Sequence, residues 1–338
     1  MISNKVELSI IIPVYNTGKY LMDTFASILY AKNNSNASVE VIFVDDHSNV
    51  ETKNILKQLL EYNFVKVITL SPNEPKGAGN ARNIGMDNST KNHLYFMDAD
   101  DKIDVNFFEK ISNFALNSEF DILTFGFIMI EATTGKVINK VSPIENKKIF
   151  SFMGNDEALS WYFANVNVFS VWNKIYSKKF ILENKLRFPN NRTAQDAIFN
   201  LTLLSKSPAV EIIPDSLYHY LISRPGSNQT VLKSKFMDEY EVLLALKSAM
   251  SELNIKHSDE VYYDQVIEIL TREYKFALSQ KNNEVIVTDL VHFTELSRDL
   301  MNFYRKVKKR KYLKYFVRNF FFTSYRRINF MGWIERHV

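Results

Sequence analysis

Asp98-Ala-Asp100 sets two carboxylates on a turn directly after an apolar run, His93–Met97. Carboxylates in that position suit a hard divalent cation, Mn2+ or Mg2+, which takes oxygen ligands and keeps waters or phosphate oxygens. The plain alternative is that Asp98 and Asp101 cap the helix that follows. A second acidic pair, Asp45-Asp46, ends the run Val39–Val44, where an acid commonly meets a ribose or base; a solvated turn is the other reading. Gly77-Ala-Gly-Asn-Ala-Arg-Asn83 is glycine-rich and opens a helix, yet it lacks the Gly-Lys-Ser/Thr of a phosphate loop. Nor does it follow the first strand, as a dinucleotide fingerprint must. Its Arg82 could reach a diphosphate, brace the aspartates or form an ordinary ion pair.

The elements that hold these residues follow from hydrophobic period. Leu8–Val14, Val39–Val44, Val65–Leu70, His93–Met97 and Asp121–Phe127 are short, nearly continuous apolar runs, as in strands covered on both faces. Between them, Thr17–Lys32 carries Leu21, Phe25, Ile28 and Leu29 at helical spacing, and Thr52–Tyr62 carries Ile55, Leu56, Leu59 and Leu60. Ala78–Asn88 and Asp104–Asn117 read as further helices. Strand–helix alternation predicts an α/β fold with a mostly parallel sheet. Ligands of such sheets bind beyond the carboxyl ends of the strands. Asn16, Asp45-Asp46 and Asp98/Asp100/Asp101 all fall at those ends, so one shared site is expected.

In order along the chain stand Ser9-Ile-Ile-Ile-Pro-Val-Tyr-Asn16, Val44-Asp-Asp-His-Ser48, the Gly77–Asn83 segment and Phe96-Met-Asp-Ala-Asp-Asp101. Together they resemble family 2 glycosyltransferases of the GT-A fold, over roughly residues 6–230. The resemblance implies that Pro13, Val14, Tyr15 and Asn16 hold the nucleotide and that Asp45 reads a uracil, with Asp46 beside it. It assigns Asp98, Ala99 and Asp100 to the donor and metal, and Arg82 to the diphosphate side. Trp172-Asn-Lys174-Ile-Tyr and Arg192-Thr-Ala-Gln195-Asp196-Ala-Ile-Phe resemble the acceptor-half motifs, with Asp196 at the position of the general base. Gln195 stands where the family usually has a glutamate; losing that like charge should lower the base's pKa slightly. Trp172 could stack on a sugar or belong to the core, and Lys174 and Gln195 go with it on the acceptor side. Arg224 and Ser227 match a closing segment that reaches the diphosphate. His219 could be a metal ligand, a core histidine or an acceptor-site group.

Composition narrows the rest. The 338 residues contain no cysteine, which removes disulfides, thiolate metal sites and cysteine nucleophiles. The net charge of +4 hides an asymmetry: residues 301–338 hold 11 Lys/Arg and one acid, leaving 31 Lys/Arg against 37 acids elsewhere. Eleven of the 46 aromatics also sit in that tail. A basic, aromatic segment suits an anionic membrane surface, with partner or oligomer contact as the other reading and nucleic acid disfavoured. No secretory signal and no run of ~18 apolar residues is found, so no spanning helix is expected.

The expectation is therefore an inverting glycosyltransferase using Mn2+ or Mg2+. It would move a sugar from a UDP-sugar to a saccharide or lipid-linked acceptor in cell-surface polysaccharide, teichoic acid or glycoconjugate synthesis. It would work in the cytoplasm, peripheral on the inner face of the membrane through residues 305–338. A catalytic domain over 1–230 (donor half 1–130, acceptor half 131–230) would precede a helical region over 231–338. The competing readings are a nucleotidyltransferase, which would want a glycine- and lysine-rich loop after the first strand, and a non-catalytic membrane-associated scaffold.

Overall fold

A computed structural model of the chain describes residues 6–115, 120–143, 150–153, 170–190, 195–206 and 208–223, with scattered positions between 240 and 302. The chain divides into two compact units, Met1–Leu232 with Ala245–Lys256, and Lys233–Leu244 with His257–Val338. In the second unit the described positions, among them 242–244 and 262–263, are helical. The helices read over 236–253, 259–280 and 283–310 fall mostly outside the described residues, and the basic tail over 305–338 falls wholly outside them.

The first unit is built on one sheet. Its first half alternates β1 (Glu7–Val14), α1 (Tyr20–Asn33), β2 (Ser38–Asp45), α2 (Val50–Leu59), β3 (Val65–Thr69), α3 (Ala78–Asp87) and β4 (His93–Phe96). β5 (Lys102–Ile103), α4 (Phe107–Ala115), β6 (Ile122–Glu131), β7 (Val137–Val141) and β8 (Phe150–Met153) follow. β9 (Lys174–Ser177), α5 (Lys178–Glu183), α6 (Gln195–Leu204) and β10 (Ala209–Ile222) complete it. The strand order is β3-β2-β1-β4-β9-β6-β10-β5, with β7 on β6 and β8 on β10. β3, β2, β1 and β4 are mutually parallel, as the alternating pattern predicts. β9 then runs antiparallel between β4 and β6, so the second half of the sheet is mixed.

Burial follows the sequence pattern. β1 and β2 are buried almost end to end because helices cover both faces. α1 turns Leu21, Thr24, Phe25, Ile28 and Ala31 inward, the i, i+3, i+4 stripe of an amphipathic helix. A buried side chain of Phe, Ile or Leu type contributes ~1.5–3 kcal/mol relative to exposure, so this stripe is what holds α1 on the sheet.

Two local features open the carboxyl edge. Val14 accepts from the Asp46 N–H on the β2 side (2.8 Å), while Ile11 accepts from the Met97 N–H on the β4 side (3.1 Å). Pro13, alternating like Ile11, faces β4 beyond its last paired residue, so its missing N–H interrupts no ladder bond. The β1–β4 pairing ends at Ile11 and Phe96, and strand order reverses between these two strands, the place where ligands of doubly wound sheets lodge. Because β9 is antiparallel to β4, its first residue, Lys174, arrives at the same edge.

Candidate active site

On one side of the carboxyl edge, Asp45 ends β2 with no solvent exposure. Its Oδ1 accepts from the Ser48 N–H at 2.9 Å, and its Oδ2 has no partner among the described residues. A buried carboxylate oxygen left unpaired is costly, which marks it as a place where a ligand N–H would be welcome. Asp46 turns the other way: its Oδ2 accepts from the Gly77 N–H (2.8 Å) and its Oδ1 faces His47 Nδ1 (2.9 Å). That bond ties the end of β2 to the glycine segment that starts α3. Gly77 has φ 124°, a conformation open to glycine, and a Cβ on Gly79 would come within 2.9 Å of the Pro189 carbonyl oxygen. Asn16 (φ 50°) accepts from the Asn49 N–H at 2.7 Å and so joins the end of β1 to α2. Tyr15 beside it is 63% exposed at the mouth.

On the other side, Arg82 of α3 is buried and forks between two carboxylates. Nη1 donates to Asp196 Oδ1 at 2.5 Å and Nη2 to Asp98 Oδ1 at 2.9 Å. Its guanidinium carbon lies 5.4 Å from the centre of the Phe188 ring, a cation–π contact. Burial opposes the charge on Arg82, but Asp196 and Asp98 outweigh it and hold the guanidinium above its usual pKa. Asp98 and Asp196 keep 32% and 27% side-chain exposure, so each carboxylate retains an approach from solvent. For Asp196, burial pushes the pKa up and Asp98 adds to it, against Arg82 and Lys174, to about 6. Such a carboxyl is ionised at neutral pH yet basic enough to take a proton.

Lys174 is 1% exposed, and its ammonium donates to the Ser170 carbonyl (2.6 Å) and Asn173 Oδ1 (2.7 Å). Burial pulls its pKa well below the ordinary lysine value, with Asp196 pulling the other way.

The family model described as Glycosyl transferase family 2 matches residues 9–183, more than half of the chain. The chain belongs to that family. Among relatives, the poly(ribitol-phosphate) beta-N-acetylglucosaminyltransferase TarS of Staphylococcus aureus is 23% identical over 277 residues, covering 80% of this chain and 45% of TarS. TarP of the same organism, named for the same transfer, is 26% identical over 226 residues, 64% of this chain and 63% of TarP. The chain thus spans less than half of TarS. A crystal structure of S. aureus TarS 1-349 in complex with UDP-GlcNAc matches with a TM-score of 0.64 at 20% identity, covering 86% of this chain and 81% of that one. The α/β GT-A fold is shared.

Within that family frame, the structure brings together Asp98, Arg82 and Asp196 directly. Pro13, Val14 and Asn16 lie past the last β1–β4 pair, with Asp45 one strand away. Asp100 sits part-buried on the same turn as Asp98, with Ala99 buried between them. Trp172, expected on the acceptor side, is 7% exposed, and its indole stacks on Tyr218 (4.7 Å) and Tyr220 (5.1 Å). Its faces are committed to the core, so it supports the site from behind. Lys174 and Gln195, also expected on the acceptor side, are likewise buried. His219 points elsewhere: its Nε2 is 3.7 Å from Asp104, and it pairs with Lys102 across β5 and β10. Arg224 and Ser227 lie outside the described residues. Sequence reasoning missed Phe188, which has no motif, and Asp101 as more than a cap, though the run of three acids in Asp98-Ala-Asp-Asp101 was its signal.

Proposed function

We propose that this family 2 glycosyltransferase moves a sugar, with inversion, from a UDP-sugar to a saccharide or lipid-linked saccharide acceptor in cell-surface polysaccharide, teichoic acid or glycoconjugate synthesis. The observation that carries this reading is the Arg82 fork, which joins the donor-side Asp98 to Asp196 from a distant part of the chain. The free Oδ2 of Asp45 supports a uracil, whose ring N–H it can accept. The names of TarS and TarP and the UDP-GlcNAc complex of TarS support a UDP-sugar and a saccharide product.

Ionised Asp196 accepts the proton of the acceptor hydroxyl. The acceptor oxygen forms its bond to the anomeric carbon as the bond to the UDP oxygen breaks on the opposite face. One displacement with no enzyme nucleophile inverts the anomeric centre. Arg82 keeps Asp196 ionised and aimed.

Asp98 and Asp100 fit a divalent cation only as part of a set, since no group of three or more His, Asp or Glu among the described residues is arranged to hold one. Two carboxylates with diphosphate oxygens and water make an ordinary Mg2+ or Mn2+ shell. When bound there, the cation would offset charge on the departing diphosphate.

The charge of residues 305–338 supports attachment to an anionic membrane on the cytoplasmic side, with a catalytic region ahead of it over 1–230. Among the described residues no helix is long and apolar enough to cross a membrane. Deleting 305–338 should abolish binding to anionic vesicles; unchanged binding removes the tail from this reading.

The deciding experiment pairs calorimetry with a panel of UDP-sugars. Asp196→Asn should bind UDP as the parent does and lose transfer by about 10²–10⁴-fold. Undiminished transfer excludes Asp196 as base, and a parent protein blind to millimolar UDP with Mn2+ points to the scaffold instead.

A further inference from the structure

Asp101 is 1% exposed, with both carboxylate oxygens engaged by β10. Its Oδ2 accepts from the Tyr218 hydroxyl at 2.6 Å, and its Oδ1 accepts from the Leu221 N–H at 2.7 Å. The same Tyr218 oxygen lies 3.4 Å from the Asp98 N–H, at the long end of a hydrogen bond. Tyr218 is fully buried, and Trp172 stacks on its ring. From the opposite side the Thr24 hydroxyl donates to the Ala99 carbonyl at 2.9 Å. The Asp104 N–H donates to the Leu217 carbonyl at 2.9 Å, and Ile103 pairs with Tyr218 in the β5–β10 ladder. The whole turn from Asp98 to Asp104 is thereby fastened to β10 and α1.

Burying a carboxylate with two donors is a poor way to stabilise a fold, since an apolar residue would avoid the desolvation. Asp101 does something an apolar residue cannot: it reaches two points of β10 at once from the turn that carries Asp98 and Asp100. Tyr218 and Leu221 both lie in the last stretch of β10, which ends at Ile222, so the same carboxylate grips that strand at two positions.

We propose that Asp101 and Tyr218 are positioning residues for donor binding, a clamp that fixes the Asp98–Asp100 turn against the end of β10. The proposal rests on the glycosyltransferase reading. It makes Trp172 the backing of the clamp, since its stack holds the Tyr218 ring. Neither Asp101 nor Tyr218 touches the reacting groups.

Tyr218→Phe is the cleanest probe, because it removes one hydroxyl and keeps the stacked ring. In the full chain with Mn2+, UDP dissociation constant by calorimetry and donor KM should both rise about tenfold. The acceptor KM should stay unchanged, and the melting temperature should fall by only a few degrees, as for one lost buried hydrogen bond. Asp101→Asn, whose amide can still accept from Leu221 and meet the tyrosine hydroxyl, should recover most of the donor affinity that Asp101→Ala loses. Variants that melt earlier but bind UDP like the parent overturn the clamp, as does a rise in acceptor KM alone. Failure of the underlying reading shows separately, as a parent protein that does not bind UDP.

Discussion

The two halves of the site are finished differently. On the donor side, valences are left open: Asp45 has an unpaired buried oxygen, Asp98 keeps a third of its exposure, and Tyr15 stands out at the mouth. On the acceptor side nearly everything is closed. Lys174 is held by a carbonyl and an amide, Trp172 is stacked on two tyrosines, and Gln195 is buried against the glycines of α3. That unmet hydrogen-bond and charge demand is what the proposed nucleotide would meet. The proposed base, Asp196, calls for aim instead, and the groups packed near it are satisfied among themselves. Arg82 is the joint between the two designs, and substitutions there should have the largest effect.

Arg82→Lys tests the joint. A single ammonium cannot fork to Asp98 and Asp196 as a guanidinium does. One carboxylate loses its partner, at roughly 2 kcal/mol, below the ~3–5 kcal/mol of a fully buried pair because both acids keep some solvent. The urea midpoint should fall accordingly, and UDP affinity and transfer should fall together, transfer by about 10²-fold or more. Loss of transfer with UDP affinity intact would place Arg82 with the acceptor side alone.

Asp45→Asn probes the open side, with a smaller effect. The amide either loses the Ser48 N–H bond or turns its own N–H toward the base, so UDP binding should weaken about tenfold. The free protein should change little in stability, because an unpaired buried carboxylate oxygen is exchanged for an unpaired amide group. Unchanged UDP affinity would mean that the donor side is not an open socket at this point.

The same contrast governs how much of the molecule was legible in the sequence. The donor half is made of local βαβ units whose strands are continuous apolar runs, so β1 to β4 could be placed within a residue or two. Its site residues sit at strand ends, where topology alone gathers them. The acceptor half was opaque for a physical reason. β9 is four residues long and enters the sheet between β4 and β6, a pairing no local pattern announces. β10 runs through Pro214 and Asp215 with register shifts, which blurs its period. The reach of Arg82 to Asp196 across 114 positions, and the burial that raises the pKa of Asp196, are tertiary facts. Trp172 shows the limit most plainly: a tryptophan ahead of a lysine could equally face a sugar or a core, and only the two tyrosines of β10 decide it.

The smallest effect expected is a pH dependence carried by Asp196. With its pKa at about 6 and transfer requiring the ionised form, the rate should climb about tenfold per pH unit below that value and level off above it. Lys174 pulls the Asp196 pKa down, so Lys174→Met should move the limb to higher pH, whereas a closed side with no influence on its base would leave the limb in place. Folding stability gives the same information without activity. The folded carboxyl holds its proton to about 6 and the unfolded one only to its ordinary 3.8, so the folded state binds more protons between those values. Stability that Asp196 contributes at low pH is therefore lost as pH rises through that window. Asp196→Asn cannot titrate, so its stability should fall less steeply there than the parent's, and parallel curves would show that burial does not shift this carboxyl.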